Sequence, residues 1–276
     1  NVGIGVSALV AATTGGENTA VGEQALSTNT TGTLNVAIGR HALTKQTTAS
    51  NNVAIGAYAC RYNNNATRCV AVGQEALRGT SDGSPLSGND NTAVGYEALL
   101  SNTTGTYNAA LGAYALDANT TGQKNTGIGY NALSENTTGT DNTAVGNLAL
   151  DAVTTGHSNS ALGSQAGDAI STGEYNTAIG AYALMTATTT DYNTALGSRA
   201  LQLATTGGDN TAVGYGAMYT NTTGVSNAAV GRGALYSCTT GGYNTAMGYE
   251  TLAASTTGSY NTAVGYKALD ANTTAA

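Results

Sequence analysis

The chain has 276 residues, of which 9% are charged and none is Trp or Phe; its net charge is −7 and its pI near 4.6. Nine scattered Lys and Arg cannot match a run of phosphates, which argues against nucleic acid as a partner. No apolar run approaches the roughly 18 residues that cross a bilayer as a helix, yet an apolar fraction of 41% is too high for a disordered polar tract.

Self-similarity dominates everything else. Units begin at residues 1, 18, 35, 52 and 69, then at 91 and every seventeen residues up to Asn261, making sixteen coils. The one irregular step, from 69 to 91, places a five-residue insertion within Ser81 to Asp90, where the single proline, Pro85, also lies. A fixed period of this kind reads as one repeat array over 1–276 rather than several domains. The first residue is Asn1 rather than Met, which suggests a processed product or part of a longer protein. The array shows no capping segment, so flanking domains or further coils are expected at its ends.

Within a coil, position 1 is Asn in fifteen of sixteen units. Stacked in register, such side chains are expected to form an amide ladder along the axis. Positions 2 to 5 read Thr or Val, Ala, an aliphatic residue, and Gly; the Gly is invariant and position 3 is never larger than Ala. Alternation puts positions 2 and 4 on one face and 3 and 5 on the other. The aliphatic 2/4 face is expected to be the packed interior, and the Ala/Gly face to lie against the closely approaching backbone of another chain. A helix of about ten residues interrupted by Val-Gly and Thr-Thr would be marginal, whereas "NTTG" is turn chemistry. Two short strands and two turns per coil are predicted, hence an all-β parallel β-solenoid. Sixteen coils at the usual inter-strand spacing would measure about 75 Å.

"NVAIGRHAL" (Asn35 to Leu43), "NVAIGAYAC" (Asn52 to Cys60) and "CVAVGQEAL" (Cys69 to Leu77) resemble the head repeats of YadA-like trimeric autotransporter adhesins. Forms such as "NTAVGYEALLSNTTG" (Asn91 to Gly105) are also similar to segments of phage tail fibres and bacterial surface fibres. The resemblance covers essentially the whole chain, although the seventeen-residue unit is longer and more uniform than the adhesin repeats. It implies a left-handed β-roll, three chains about one axis, and a cell-surface, extracellular or virion location.

Chemistry-bearing residues are few. "GIGVSALVAATTGG" (Gly3 to Gly16) lacks the Lys of a phosphate loop. His41 and His157 stand six coils apart, too far for a metal pair or a catalytic dyad. The acids lack calcium-loop spacing. Asp151 and Asp168, both at position 10, would be neighbours on adjacent coils, read as solvated surface or as a glycosidase-like pair. No catalytic, metal or cofactor residue is assigned, and the chain is not expected to be an enzyme.

Cys60 and Cys69 replace consensus Leu and Asn just before the insertion, which reads either as a disulfide bracing the irregular point or as two buried thiols. Cys238 has no evident partner. Asn-x-Thr patterns occur at Asn29, Asn65, Asn102, Asn119, Asn136, Asn221 and Asn272, six of them at position 12 on the predicted turn. They are candidate glycosylation sites, or Asn simply favours that turn. Of sixteen Tyr, position 6 holds Tyr96, Tyr130, Tyr215, Tyr249 and Tyr266, a candidate row for contact with a host glycan or protein, or a cover for coil edges.

The reading that follows is a passive extracellular fibre or adhesin segment that associates with itself as a homotrimer, the alternative being a subunit of an end-to-end filament. Two further readings have specific objections. Ice binding is poorly served by Thr at adjacent positions 13 and 14, whose side chains would point to opposite faces. A polysaccharide-active enzyme would need acids clustered where the repeat breaks, and that break offers Asp82 and Asp90 without an evident basic partner.

Overall fold

The computed structural model describes residues 1–80 and 86–274, so most of the insertion, with Asp82 and Pro85, lies outside the described residues. Each coil contributes one strand of three residues at positions 2 to 4, from β1 (Val2–Ile4) to β16 (Thr262–Val264). No helix occurs among the described residues. The chain is an all-β parallel β-solenoid whose contacts divide it into two units, Asn1–Asp141 and Asn142–Ala276. In each unit eight strands pair in chain order, parallel and in register, so that Val36 lies beside Val53 and Thr194 beside Thr211.

Among the described residues no coil forms the second strand that is expected; bends and turns stand in its place. The reason is backbone conformation. Non-Gly residues at positions 7, 9 and 17 take φ between 49° and 62°, as at His41, Leu43 and Asn51. The left-handed region normally costs an L-residue about 1–2 kcal/mol. Here it turns the chain sharply while leaving its N–H groups aimed at the next or preceding coil: His41 N–H donates to Glu23 O (2.9 Å) and Leu43 N–H to Ala59 O (3.1 Å). Parallel pairing therefore continues beyond the strands. No position 7, 9 or 17 in the chain carries Val, Ile or Thr, which fits the particular difficulty of that region for β-branched residues.

The invariant Gly at position 5 has two causes. Its φ lies between 126° and 144°, and at Gly22 an added Cβ would stand 2.7 Å from the carbonyl carbon of Gly39 in the next coil.

The assignment of faces is reversed. Ala20, Ala37, Ala54 and the other position-3 alanines point inward and are buried, while positions 2 and 4 are half-buried or exposed in every strand. The close backbone inferred for the small face belongs to the chain itself. At Gly127, which replaces the position-3 Ala, an added Cβ would lie 3.0 Å from Ala132 O and 3.3 Å from Leu116 Cγ. The coil interior is too thin for more than a methyl group there. It is filled by Ala at positions 3 and 8 and Leu at 9, with Leu26, Leu43, Leu99 and Leu201 fully buried. Each such Leu contributes about 1.5–3 kcal/mol of hydrophobic burial.

The amide ladder is present in a form richer than amide-to-amide bonding. Asn18 Nδ2 donates to Gly32 O of its own coil (2.8 Å), closing the coil. Its Oδ1 accepts both the main-chain N–H and the Nδ2 of Asn35 (both 3.0 Å), joining the next coil. The pattern recurs at Asn159 and Asn176 and at Asn227 and Asn244. A hydroxyl ladder runs beside it: Thr103 Oγ1 donates to Thr120 O and Thr120 Oγ1 to Thr137 O (2.9 and 3.0 Å).

Candidate functional site

The expectation that position 12 lies on an accessible turn is corrected. Asn29, Asn102, Asn119, Asn136 and Asn221 are completely buried inside the coil. Asn102 Nδ2 donates to Gly105 O (3.0 Å), while Asn119 Nδ2 reaches Asn102 Oδ1 and Asn136 Nδ2 reaches Asn119 Oδ1 (both 2.9 Å). These residues form a second interior ladder, and the nitrogen a glycan would occupy is engaged in it. Asn272 is half-buried, and Asn65 is exposed on position 14. The signal for the inward slot is legible in hindsight: position 12 elsewhere holds Val153, Ile170, Ala187 and Cys238, which a surface turn would not select.

Cys60, Cys69 and Cys238 are buried free thiols, so the bracing disulfide is not formed in this structure. Cys60 fills the Leu slot of position 9. Cys69 takes over the work of the ladder Asn: its main-chain N–H donates to Asn52 Oδ1 (2.9 Å) and its Sγ–H to Gly88 O (3.5 Å). Burial pushes its thiol up to about 11, opposed by a hydrogen bond from the Asn91 main chain. Burial also pushes the Cys60 thiol well up, with the neighbouring Cys69 adding to it. Asp90 does have a basic partner: Arg68 grips both its oxygens through Nε (2.6 Å) and Nη2 (2.8 Å).

Burial raises the Asp168 carboxyl, with Asp151 adding a smaller push, and Gln165 Nε2 donates to Asp168 Oδ2 (3.1 Å). His157 faces Glu174 (3.1 Å), and His41 stacks on Tyr58 at 5.3 Å. Among the described residues no three His, Cys, Asp or Glu side chains gather as a metal site.

Two surface features stand out. The first is the outer face of the strands, where position 4 presents Ile38, Leu111, Leu162, Leu196 and Met247, each 38–51% exposed. Position 2 beside it is mostly Thr.

The second is aromatic. In-register stacking places tyrosines of consecutive coils face to face: Tyr249 and Tyr266 at 5.4 Å, Tyr219 and Tyr236 at 5.1 Å, Tyr175 and Tyr192 at 5.1 Å, and Tyr243 and Tyr260 at 5.1 Å. Tyr96 and Tyr130 flank Tyr114 edge-on, at 5.4 and 5.9 Å. A hydrogen bond to Glu97 holds the Tyr96 phenol up to about 12. The Arg232 guanidinium sits between Tyr215 and Tyr249, 5.9 and 5.3 Å from their ring centres, and Nη1 donates to the Tyr249 hydroxyl (2.6 Å). The position-6 row is thus only part of the aromatic surface; the pairs at positions 10 and 17 were not singled out from sequence, though their identical spacing of seventeen was available to find them.

Clefts open between positions 6 and 7 on one side and position 10 on the other. One of about 220 Å³ is lined by Tyr114, Tyr130 and Asp117, and one of about 390 Å³ lies in coils 13 to 16.

Compared with protein-family models, with curated proteins and with solved structures, the chain matches none.

Proposed function

We propose that this chain is a structural, non-catalytic segment of an extracellular fibre or adhesin, in which the outer strand faces of left-handed coils pack against those of two further copies. The observation that carries the reading is position 4. It is aliphatic in all sixteen coils, yet its side chains point away from the chain's own interior, and Leu111 and Leu162 are half exposed. Nothing inside one chain requires Leu or Ile there, and a water-facing row would accept polar side chains as readily. A second copy supplies the missing reason, since apolar surface in contiguous rows is characteristic of association sites. The likeness of "NVAIGRHAL" to adhesin head repeats supports three chains, a surface or virion location, and a host glycan or protein as the outward partner. Position 1 is Asn in every coil but that of Cys69, so the ladder repeats along unit 1 and along unit 2, which is what a spacer built for length and stiffness needs.

The native mass in solution tests this. A species near three times 27.3 kDa by light scattering supports it; long filaments in negative stain move the reading to end-to-end assembly. A monomer at tens of micromolar would sink it.

A further inference from the structure

We infer that the cleft in coils 13 to 16 is a binding site for a neutral pyranose ring, stacked on Tyr236 and hydrogen-bonded by Glu250 and Asp270. It lies among positions 6, 7, 10 and 11, none of them in a strand, so it does not depend on how many chains associate.

The cleft exists because the repeat departs from itself twice in the same place. Position 7 is Gly only at Gly216 and Gly233, in consecutive coils, and position 10 is Tyr only at Tyr219 and Tyr236, in the same two coils. The departures are geometrically linked. A Cβ on Gly216 would stand 3.3 Å from Tyr236 Cε2, so the ring lies over the bare glycine. A Cβ on Gly233 would stand 3.3 Å from Glu250 Cγ, inside the lining of the cleft. Every other position 7 carries a side chain, from Ser7 to Arg199 in size, which here would project into this space. Coil 15 contributes Glu250 and, at positions 10 and 11, only Ala253 and Ala254. The resulting volume of about 390 Å³ falls in the range of small-molecule sites.

The lining selects the ligand class. Tyr215 and Tyr236 are 49% and 41% exposed and present apolar faces with wet hydroxyls, suited to the C–H face of a sugar. Glu250 is steadied by Lys267 Nζ at 3.2 Å, and the Tyr249 hydroxyl and Lys267 hold its carboxyl below the usual range. It and Asp270 are acceptors for sugar hydroxyls. Both nearby cations are already engaged, Arg232 with the Tyr249 hydroxyl and Lys267 with Glu250, while two carboxylates line the cleft, so anionic sugars are disfavoured.

Saturation-transfer NMR on the full chain is the test, with methyl glycosides of glucose, galactose and mannose as probes and N-acetylneuraminic acid as the anionic control. At least one neutral glycoside should receive saturation and the acid none. Tyr236→Ala should weaken that binding about tenfold or more. Gly233→Gln, which installs a residue that position 7 already carries at Gln24 and Gln165, should block the cleft with the fold intact, covering the case in which Tyr236→Ala unfolds. Tyr192→Ala, in the separate position-17 stack, should leave binding unchanged. The proposal is overturned if no neutral glycoside responds well above millimolar concentration, if binding survives Gly233→Gln, or if Tyr192→Ala abolishes it.

Discussion

Asn159 and Asn176 stand one coil apart, and the Oδ1 of the first accepts the main-chain N–H of the second at 3.0 Å while its own Nδ2 closes the coil on Gly173 O at 2.8 Å. One buried side chain therefore makes each coil a closed loop and links it to the next. Replacing Asn159 by Ala leaves a donor and an acceptor unpaired in a fully buried site, at about 1–3 kcal/mol each. Chemical denaturation should register that loss, and amide exchange should place it at coils 10 and 11. Asn159→Cys should cost less, because the Cys69 thiol keeps the contact that closes its coil, donating to Gly88 O at 3.5 Å.

Leu201 illustrates a second constraint. It is fully buried with φ of 49°. Leu201→Met, the residue Met218 supplies at the same position, should cost under about 1.5 kcal/mol. Leu201→Val is smaller and equally apolar, but a β-branched side chain resists the left-handed region, so it should cost at least about 1 kcal/mol more than Met. Equal melting temperatures for the two variants would contradict this account.

Cys69 gives the fold a pH dependence of predictable sign. Its folded-state thiol titrates near 11 against an ordinary value of 9.0. The unfolded chain therefore loses its proton first as pH rises. Stability from this group is intact below pH 9 and is lost between 9 and about 11, by at most about 3 kcal/mol. Cys69→Asn restores the ladder residue and should flatten that part of the stability–pH curve, as followed by urea unfolding.

On the outer strand face, Leu162→Glu and Leu196→Glu substitute exposed residues, so each chain should keep its fold, with unfolding free energy changed by under about 0.5 kcal/mol in the separated monomer. If copies pack through this face, a buried unpaired carboxylate at each site should break the assembly. Sedimentation should then show monomers where the parent chain shows trimers. An unchanged oligomer would remove this face from the interface.

Much of the molecule was legible before any coordinate. The seventeen-residue period, the turn chemistry of Thr-Thr-Gly and the invariant Gly at position 5 dictated parallel stacking in register, and fifteen Asn at position 1 announced the ladder. Tyr215 belonged to the recognised aromatic row, whereas the cleft beside it did not follow from that row. Its shape rests on Gly216 being bare beneath Tyr236 and Gly233 being bare beside Glu250, relations between neighbouring coils rather than along the chain.

By itself the sequence determined the period, the all-β class and the register, because these follow from local conformational preference repeated at a constant step. Only the tertiary structure decided which side of the strand is inside. Alternation separates positions 2 and 4 from 3 and 5 without saying which pair is buried, and hydrophobicity pointed to the wrong one. Coil width decided the matter: Gly127 faces Ala132 and Leu116 across a gap that holds no more than a methyl group, so Ala goes in and the larger aliphatics go out. The same inward turn made Asn102, Asn119 and Asn136 an interior ladder rather than surface acceptors, since each amide nitrogen finds an acceptor inside the coil.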